Sequence, residues 1–119
     1  MEASLGTSFE EECALLSKQA STDLRVNTLK SSRKLALQEL KAHDSKAKPT
    51  PFSPLGIRLS KRLPLSALPI YRHGAVEIQE EGSQLLTQYV PVKPGESLLD
   101  FCAGAGGKSL AFGAMMKNQ

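Results

Sequence analysis

The chain has 119 residues, of which 40% are hydrophobic and 5% aromatic, and its formal net charge is +3. This length allows one domain, or one small domain with a piece of another; no apolar stretch is long enough for a membrane span, and no basic-then-apolar leader indicates secretion. The two cysteines, Cys13 and Cys102, are too far apart in sequence to indicate a disulfide framework or a metal site. We therefore expect a cytoplasmic protein that binds neither membrane nor metal.

Most basic residues lie in the middle of the chain. Residues 25–62 carry ten Lys and Arg against two acidic residues, a net charge of +8, whereas residues 1–24 carry one basic and five acidic residues. A basic block of this size can neutralise RNA phosphates and attract RNA over a distance. A solvent-exposed helix and loop rich in lysine would account for the same charges.

The first part of the chain predicts a small α+β module. In chain order the predicted elements are a helix over residues 9–19, a strand over 23–29, a helix over 33–43, a strand over 57–59 and a short helix within 63–74. Ser8 is a candidate N-cap for the first helix, and Ser31 or Ser32 for the second. Leu35, Leu37 and Leu40 are expected to form the apolar side of the second helix.

The last part of the chain has a different pattern. The predicted elements are a strand over residues 75–79, a helix over 83–90 that Ser83 is expected to cap, a buried strand over 97–101 and a helix over 107–117. The run at 97–101 is short and apolar without alternation, which is typical of a strand covered on both faces in a parallel sheet. The sequence therefore predicts an α/β protein that ends in the first βα unit of a doubly wound sheet.

A glycine-rich turn joins this last strand to the last helix. Gly104, Gly106 and Gly107 allow the backbone to approach a ligand closely, and a helix N-terminus follows them. The turn is not a Walker A loop, because Cys102 stands where that pattern has its first glycine. The candidate ligand-binding residues are Asp100, Cys102, Ala103, Gly104, Ala105, Gly106, Gly107 and Lys108. The alternative is a structural βα turn with Asp100 as a helix cap.

Three segments together resemble one family. Residues 24–30 (LRVNTLK), 76–85 (VEIQEEGSQL) and 100–109 (DFCAGAGGKS) are similar, in the same order, to motifs of the RNA cytosine-C5 methyltransferases, the family of the bacterial Sun and nucleolar Nop2 proteins. The resemblance implies an RRM-like, RNA-facing module over residues 1–73. It also implies the start of a Rossmann-like methyltransferase domain over 74–119.

The resemblance also implies a cofactor and a partner. The glycine loop would bind S-adenosylmethionine, with Lys108 near the cofactor carboxylate or the RNA, and the substrate would be RNA, ribosomal RNA in particular. RNA-binding candidates come from the first motif and from the basic block. They are Arg25, Lys30, Arg58, Lys61 and Arg62.

The family's catalytic cysteines lie in later Pro-Cys and Thr-Cys motifs. Here Cys13 follows Glu12 and Cys102 follows Phe101, so neither cysteine matches those motifs. We therefore expect no catalytic residue in this chain, an absent second half of the methyltransferase domain, and no activity from these residues alone. The alternative is an RNA-binding remnant of the family that has lost the chemistry.

Overall fold

A four-stranded antiparallel sheet forms the centre of the computed structural model, which describes residues 6–119. Its strands are β1 (Thr22–Val26), β2 (Lys48–Pro49), β3 (Gly56–Leu59) and β4 (Val76–Ile78), in the spatial order β2-β3-β1-β4. Residues 1–5, which contribute to the argument against a secretory signal, lie outside the described residues.

Five α-helices accompany the sheet in the described part of the chain. They are α1 (Phe9–Leu16), α2 (Arg33–Lys41), α3 (Pro69–Arg72), α4 (Glu81–Gln88) and α5 (Gly107–Met115). Each predicted helix is confirmed, although each is shorter than predicted or displaced by a few residues. Pro49 lies in the two-residue edge strand β2, where a missing N–H is tolerated.

The two faces of the sheet differ in character because side chains alternate along each strand. Leu24 and Val26 of β1 are fully buried on one face, where they pack with Ile57 of β3 and Val76 of β4. Asp23 and Arg25 alternate with them and lie on the other face, opposite Arg58 and Glu77 in the strand register. One face is therefore an aliphatic core, and the other is charged.

Helix α2 covers the apolar face. Ser32 is its N-cap, and its side chain accepts a hydrogen bond from the N–H of Leu35 at 3.3 Å, which decides between the two predicted serines. Ala36 and Leu40 are the fully buried residues of the helix, whereas Leu35 is 61% exposed. The prediction that Leu35 belongs to the apolar side is wrong, because Ala36 and Leu40, one turn apart, define the buried side.

Helices α4 and α5 pack against each other on the charged face of the sheet, and α4 contacts β1. An RRM that stacks bases on its sheet needs an open face with aromatic residues. Here that face is covered and charged, so it offers no platform for a base.

The predicted strand over 97–101 is wrong, because these residues form no strand. Leu99 is 86% exposed and Phe101 is 90% exposed, where a buried parallel strand was predicted. A parallel strand forms only beside other parallel strands, and every pairing among the described residues is antiparallel. The predicted Rossmann-like βα unit is therefore not confirmed, and a loop without a strand precedes α5.

Strand β4 lies beyond the predicted domain boundary between residues 73 and 74. It pairs with β1, with Val26 opposite Val76, and so completes the sheet of the N-terminal module. The division into 1–73 and 74–119 stays a prediction.

Candidate functional site

The glycine-rich loop ends at the N-terminus of α5. Gly104 has φ of 54° and Gly106 has φ of 82°, a left-handed conformation that favours glycine. The N–H of Gly106 bonds to the carbonyl of Ala103 at 2.8 Å, which closes the turn before the helix begins at Gly107. The N–H groups of the first helical turn have no partners within the helix, so they favour an anionic group.

Asp100 is fixed next to this turn. The hydroxyl of Ser109, in the first turn of α5, donates to Oδ2 of Asp100 at 2.7 Å. Asp100 is thus tied to the helix through a side chain, and it remains part of the wall of the adjacent cleft.

An open cleft of about 350 Å³ lies between the loop and the start of α4. The loop side contains seven of the eight candidate ligand residues: Asp100, Cys102, Ala103, Gly104, Ala105, Gly107 and Lys108. The eighth, Gly106, lies within the same loop. Cys102 is exposed, as expected for a loop residue at the cleft.

The opposite wall comes from α4 and the residue before its cap. It consists of Gln79, Glu80 and Ser83, which were not predicted as ligand residues. Glu80 is the N-cap, and its carboxylate accepts the N–H groups of Gly82 at 2.8 Å and Ser83 at 3.0 Å. The prediction that Ser83 caps this helix is wrong, because the longer Glu80 side chain reaches both N–H groups. The sequence signal for this wall was the segment QEEGS at residues 79–83, which belongs to the second of the three family-like motifs.

Arg25, predicted to contact RNA, is buried with 2% exposure. Its Nε donates to Oε1 of Gln79 at 2.6 Å, and its Nη2 pairs with Glu77 and donates to the carbonyl of Gly107 at 3.3 Å. Burial lowers the pKa of the Arg25 guanidinium from its ordinary value, and the Glu77 carboxylate opposes that shift. These contacts engage the Arg25 guanidinium within the protein, and a direct phosphate contact by Arg25 stays a prediction.

Arg58 is half-buried and pairs with two buried carboxylates. Its Nε and Nη2 both lie 2.7 Å from the Asp23 carboxylate, and Nη2 lies 3.4 Å from Glu81. The hydrogen bonds that Arg58 donates to the Asp23 carboxylate raise the pKa of the Arg58 guanidinium above its ordinary value. Arg58 remains 31% exposed at an open cleft that Lys46 and Lys48 also line.

The remaining RNA-binding candidates lie at different ends of the sheet. Lys61 and Arg62 are exposed just after β3, beside an open cleft of about 530 Å³. Lys30 follows the end of β1, which is antiparallel to β3, and its Nζ donates to the carbonyl of His73 at 2.7 Å. The five predicted RNA-binding residues therefore do not form one surface.

The described residues contain no group of three or more His, Cys, Asp or Glu side chains placed to hold a metal ion. Residues 6–119 also contain no helix with the length and hydropathy needed to cross a bilayer.

A family model described as the Methyltr_RsmF/B-like, ferredoxin-like domain matches residues 1–66, more than half of the chain. The chain belongs to this RsmF/B-like methyltransferase family. The match confirms the resemblance found in the sequence, and it describes the N-terminal sheet module as ferredoxin-like.

Curated relatives in the family match most of the chain. It is 32% identical over 111 residues to the probable ribosomal RNA small subunit methyltransferase B of Synechocystis sp., covering 92% of this chain and 25% of that protein. It is 31% identical over 96 residues to the protein of the same name in Bacillus subtilis, covering 81% of this chain and 21% of the relative. The chain thus spans about a quarter or less of the length of these relatives.

Two solved structures share the fold. The structure titled PH0851 superposes with a TM-score of 0.88 at 26% identity, over 99% of this chain and 27% of that one. A methyltransferase homologue from Pyrococcus horikoshii superposes with a TM-score of 0.83 at 27% identity, over 96% of this chain and 38% of that one. The arrangement of sheet, α4, glycine loop and α5 is therefore shared with longer chains.

Proposed function

We propose that this chain forms the N-terminal part of an S-adenosylmethionine-dependent enzyme that methylates cytosine C5 in ribosomal RNA. The observation that carries the proposal is the cleft between the glycine loop and α4, which gathers seven of the eight residues chosen from the sequence. The names of the curated relatives support ribosomal RNA as the substrate. The cytosine position and the cofactor rest on the motifs at residues 24–30, 76–85 and 100–109.

The residues of the cleft fit the amino-acid end of the cofactor. The N–H groups at the start of α5 and the ammonium of Lys108 suit its carboxylate, and Asp100 suits its amino group. Gly104, with its positive φ, brings bare backbone to the cleft, and Gly106 shapes the turn behind it, so the ligand can approach closely. When bound, the cofactor supplies an electrophilic methyl group.

This chain positions the cofactor and leaves the chemistry at cytosine to residues beyond it. Addition of a thiolate to C6 is needed to make C5 nucleophilic, and neither Cys13 nor Cys102 stands in a Pro-Cys or Thr-Cys motif. Cys102 lies in the cofactor loop itself. We therefore infer that the 119 residues alone do not transfer a methyl group.

The test compares two glycines that have nearly the same backbone φ angle. Gly106 (φ 82°) lies in the loop and Gly95 (φ 85°) lies outside it, and a Cβ on either would meet no atom within 4 Å. Alanine strains both positions by about 1 kcal/mol. We expect Gly106→Ala to weaken S-adenosylmethionine binding, measured by calorimetry, about tenfold or more, while Gly95→Ala changes the affinity by less than about twofold.

Methyl transfer is measured in parallel with small-subunit ribosomal RNA and labelled cofactor. The chain alone should give only background, whereas a fusion to the remaining part of the Bacillus subtilis relative should yield 5-methylcytosine by nucleoside mass spectrometry. Equal effects of the two glycine substitutions would contradict the cofactor site. Transfer by the chain alone would contradict the assignment of the chemistry to residues outside it.

A further inference from the structure

Arg25 connects the N-terminal sheet to both walls of the candidate cofactor cleft. It is on β1, and of its three partners Gln79 lies in the α4 wall and Gly107 in the loop wall. The third partner, Glu77, is on β4 and neutralises the guanidinium charge. Among the described residues, no other arginine or lysine donates hydrogen bonds to residues of both walls.

The contact with Gln79 also fixes the orientation of its amide. Oε1 of Gln79 accepts the hydrogen bond that Arg25 Nε donates, so Nε2 of the same amide faces the loop. A Cβ placed on Gly107 would lie 3.6 Å from that Nε2, so the amide packs directly over a residue with no side chain. Gln79 is 7% exposed, and its amide is therefore held in place within the wall of the cleft.

The guanidinium is suited to this task by its shape. Its N–H groups point in fixed directions in one plane, so one side chain can set the distance between two backbone segments. Lysine would keep the charge next to Glu77, but its single ammonium on a flexible stem cannot reproduce three directed contacts. A cleft whose walls are set before binding loses less freedom when the ligand enters.

We propose that Arg25 is a positioning residue of the cofactor cleft, which holds the Gln79 amide against Gly107 and so sets the cleft width before the cofactor binds. The inference deepens the proposed function, because it takes S-adenosylmethionine as the ligand of this cleft. It replaces the RNA contact predicted for Arg25 with a role that acts through Gln79 and the loop.

The test uses Arg25→Lys with Arg33→Lys as the matched control. Arg33 is a partly buried arginine whose Nη1 also donates to a backbone carbonyl, that of Ser53 at 3.1 Å, but it does not line the cleft. The measurements are amide hydrogen exchange at residues 106–108, S-adenosylmethionine affinity, and chemical denaturation, at a temperature where all variants are folded.

For Arg25→Lys we expect faster exchange at residues 106–108 and a Kd raised about tenfold, whereas Arg33→Lys should change both by less than about twofold. Gln79→Leu should weaken binding similarly, and the double variant Arg25→Lys with Gln79→Leu should be little worse than either single variant, because both interrupt one chain of contacts. Unchanged loop exchange in Arg25→Lys, or full additivity with Gln79→Leu, would overturn the inference.

Failure of the proposed function gives a different result. If the unsubstituted protein does not bind S-adenosylmethionine, the cofactor assignment fails for this chain. Hydrogen exchange at residues 106–108 still decides whether Arg25 positions the loop, because it needs no ligand.

Discussion

Buried carboxylates stabilise the loops around the sheet through hydrogen bonds from backbone N–H groups. Asp44, 2% exposed, accepts the N–H of Ser60 at 2.6 Å, its hydroxyl at 2.6 Å, and the N–H of Lys46 at 3.1 Å. Glu81 accepts the N–H groups of Phe52 at 2.6 Å and Ser53 at 2.8 Å. These carboxylates supply acceptors to backbone N–H groups in the loops that connect the strands.

Hydrogen bonds lower the pKa of three carboxyl groups, those of Asp44, Glu81 and Asp23. The Ser60 hydroxyl lowers the pKa of Asp44 and the Arg58 guanidinium that of Asp23, in each case against the opposing effect of burial. For Glu81, burial raises the pKa, but the N–H groups of Ser53 and Phe52 bring it below its ordinary value. The folded state therefore holds these protons less tightly than the unfolded chain, so the stability they add is present above the unfolded pKa and is lost as pH falls through the folded pKa.

Asp44→Asn tests this at one residue. At about pH 7 the variant should be less stable than the unsubstituted protein, because it loses charge-assisted hydrogen bonds to Ser60. The difference in free energy of unfolding should narrow as pH falls below the ordinary Asp value of 3.8, where Asp44 itself becomes protonated. Urea denaturation across pH measures it, with the exposed neighbour Ser45→Ala as control. A difference that stays constant with pH would contradict the assignment.

Charge alone did not reveal which arginines form ion pairs within the fold. Arg25 and Arg58 belong to the basic block, and the sequence offered both for RNA. Their carboxylate partners come from distant positions, Glu77 for Arg25 and Asp23 for Arg58. Such pairs depend on strand register, which local patterns do not contain. The loop residues at 100–108, in contrast, were predictable because a glycine turn before a helix is a local feature.

At the scale of elements, local signals located the helices well. The N-cap of α2 illustrates what they left open, since the sequence allowed Ser31 or Ser32 and the structure selects Ser32. The predicted strand at 97–101 is wrong because its formation does not depend on local sequence alone. A parallel strand depends on neighbouring strands, so an apolar run alone does not determine it.

The two serines give a matched pair of variants. Ser32→Ala should lower the free energy of unfolding by about 1 kcal/mol, because the N–H of Leu35 loses its acceptor. Ser31→Ala removes a serine hydroxyl one residue earlier in the chain. The Ser31 hydroxyl donates to the carbonyl of Ser32 and caps no helix N–H. Thermal or urea denaturation measures both, and an equal loss in the two variants would exclude Ser32 as the cap.

At the scale of the whole molecule, the sheet separates two layers with different tasks. The aliphatic face packs on α2, and the charged face packs under α4 and α5, which border the cleft. Because that face is covered, we propose that RNA contacts the exposed cations after β3, Lys61 and Arg62, rather than the sheet surface.

Charge reversal tests the RNA surface. Lys61→Glu with Arg62→Glu should reduce the slope of log affinity for single-stranded ribosomal RNA against log salt by about one to two, as expected for two lost phosphate contacts. The control, Lys93→Glu with Lys117→Glu, changes the net charge equally at exposed positions outside the basic block. Filter binding across salt concentrations measures both slopes. Equal slope changes would mean that only net charge matters.

The pairing of β4 with β1 also bears on how this family can be recombined. β4 completes the N-terminal sheet, and the next residue, Gln79, lies in the cleft wall. The sheet and the cleft are therefore joined by an uninterrupted stretch of chain. A chimera joined at residue 73 would give one parent's β1 and Arg25 to another parent's β4, Gln79 and glycine loop. Exchange of the N-terminal module between relatives should therefore succeed only when β4 and the start of α4 come from the same parent as β1.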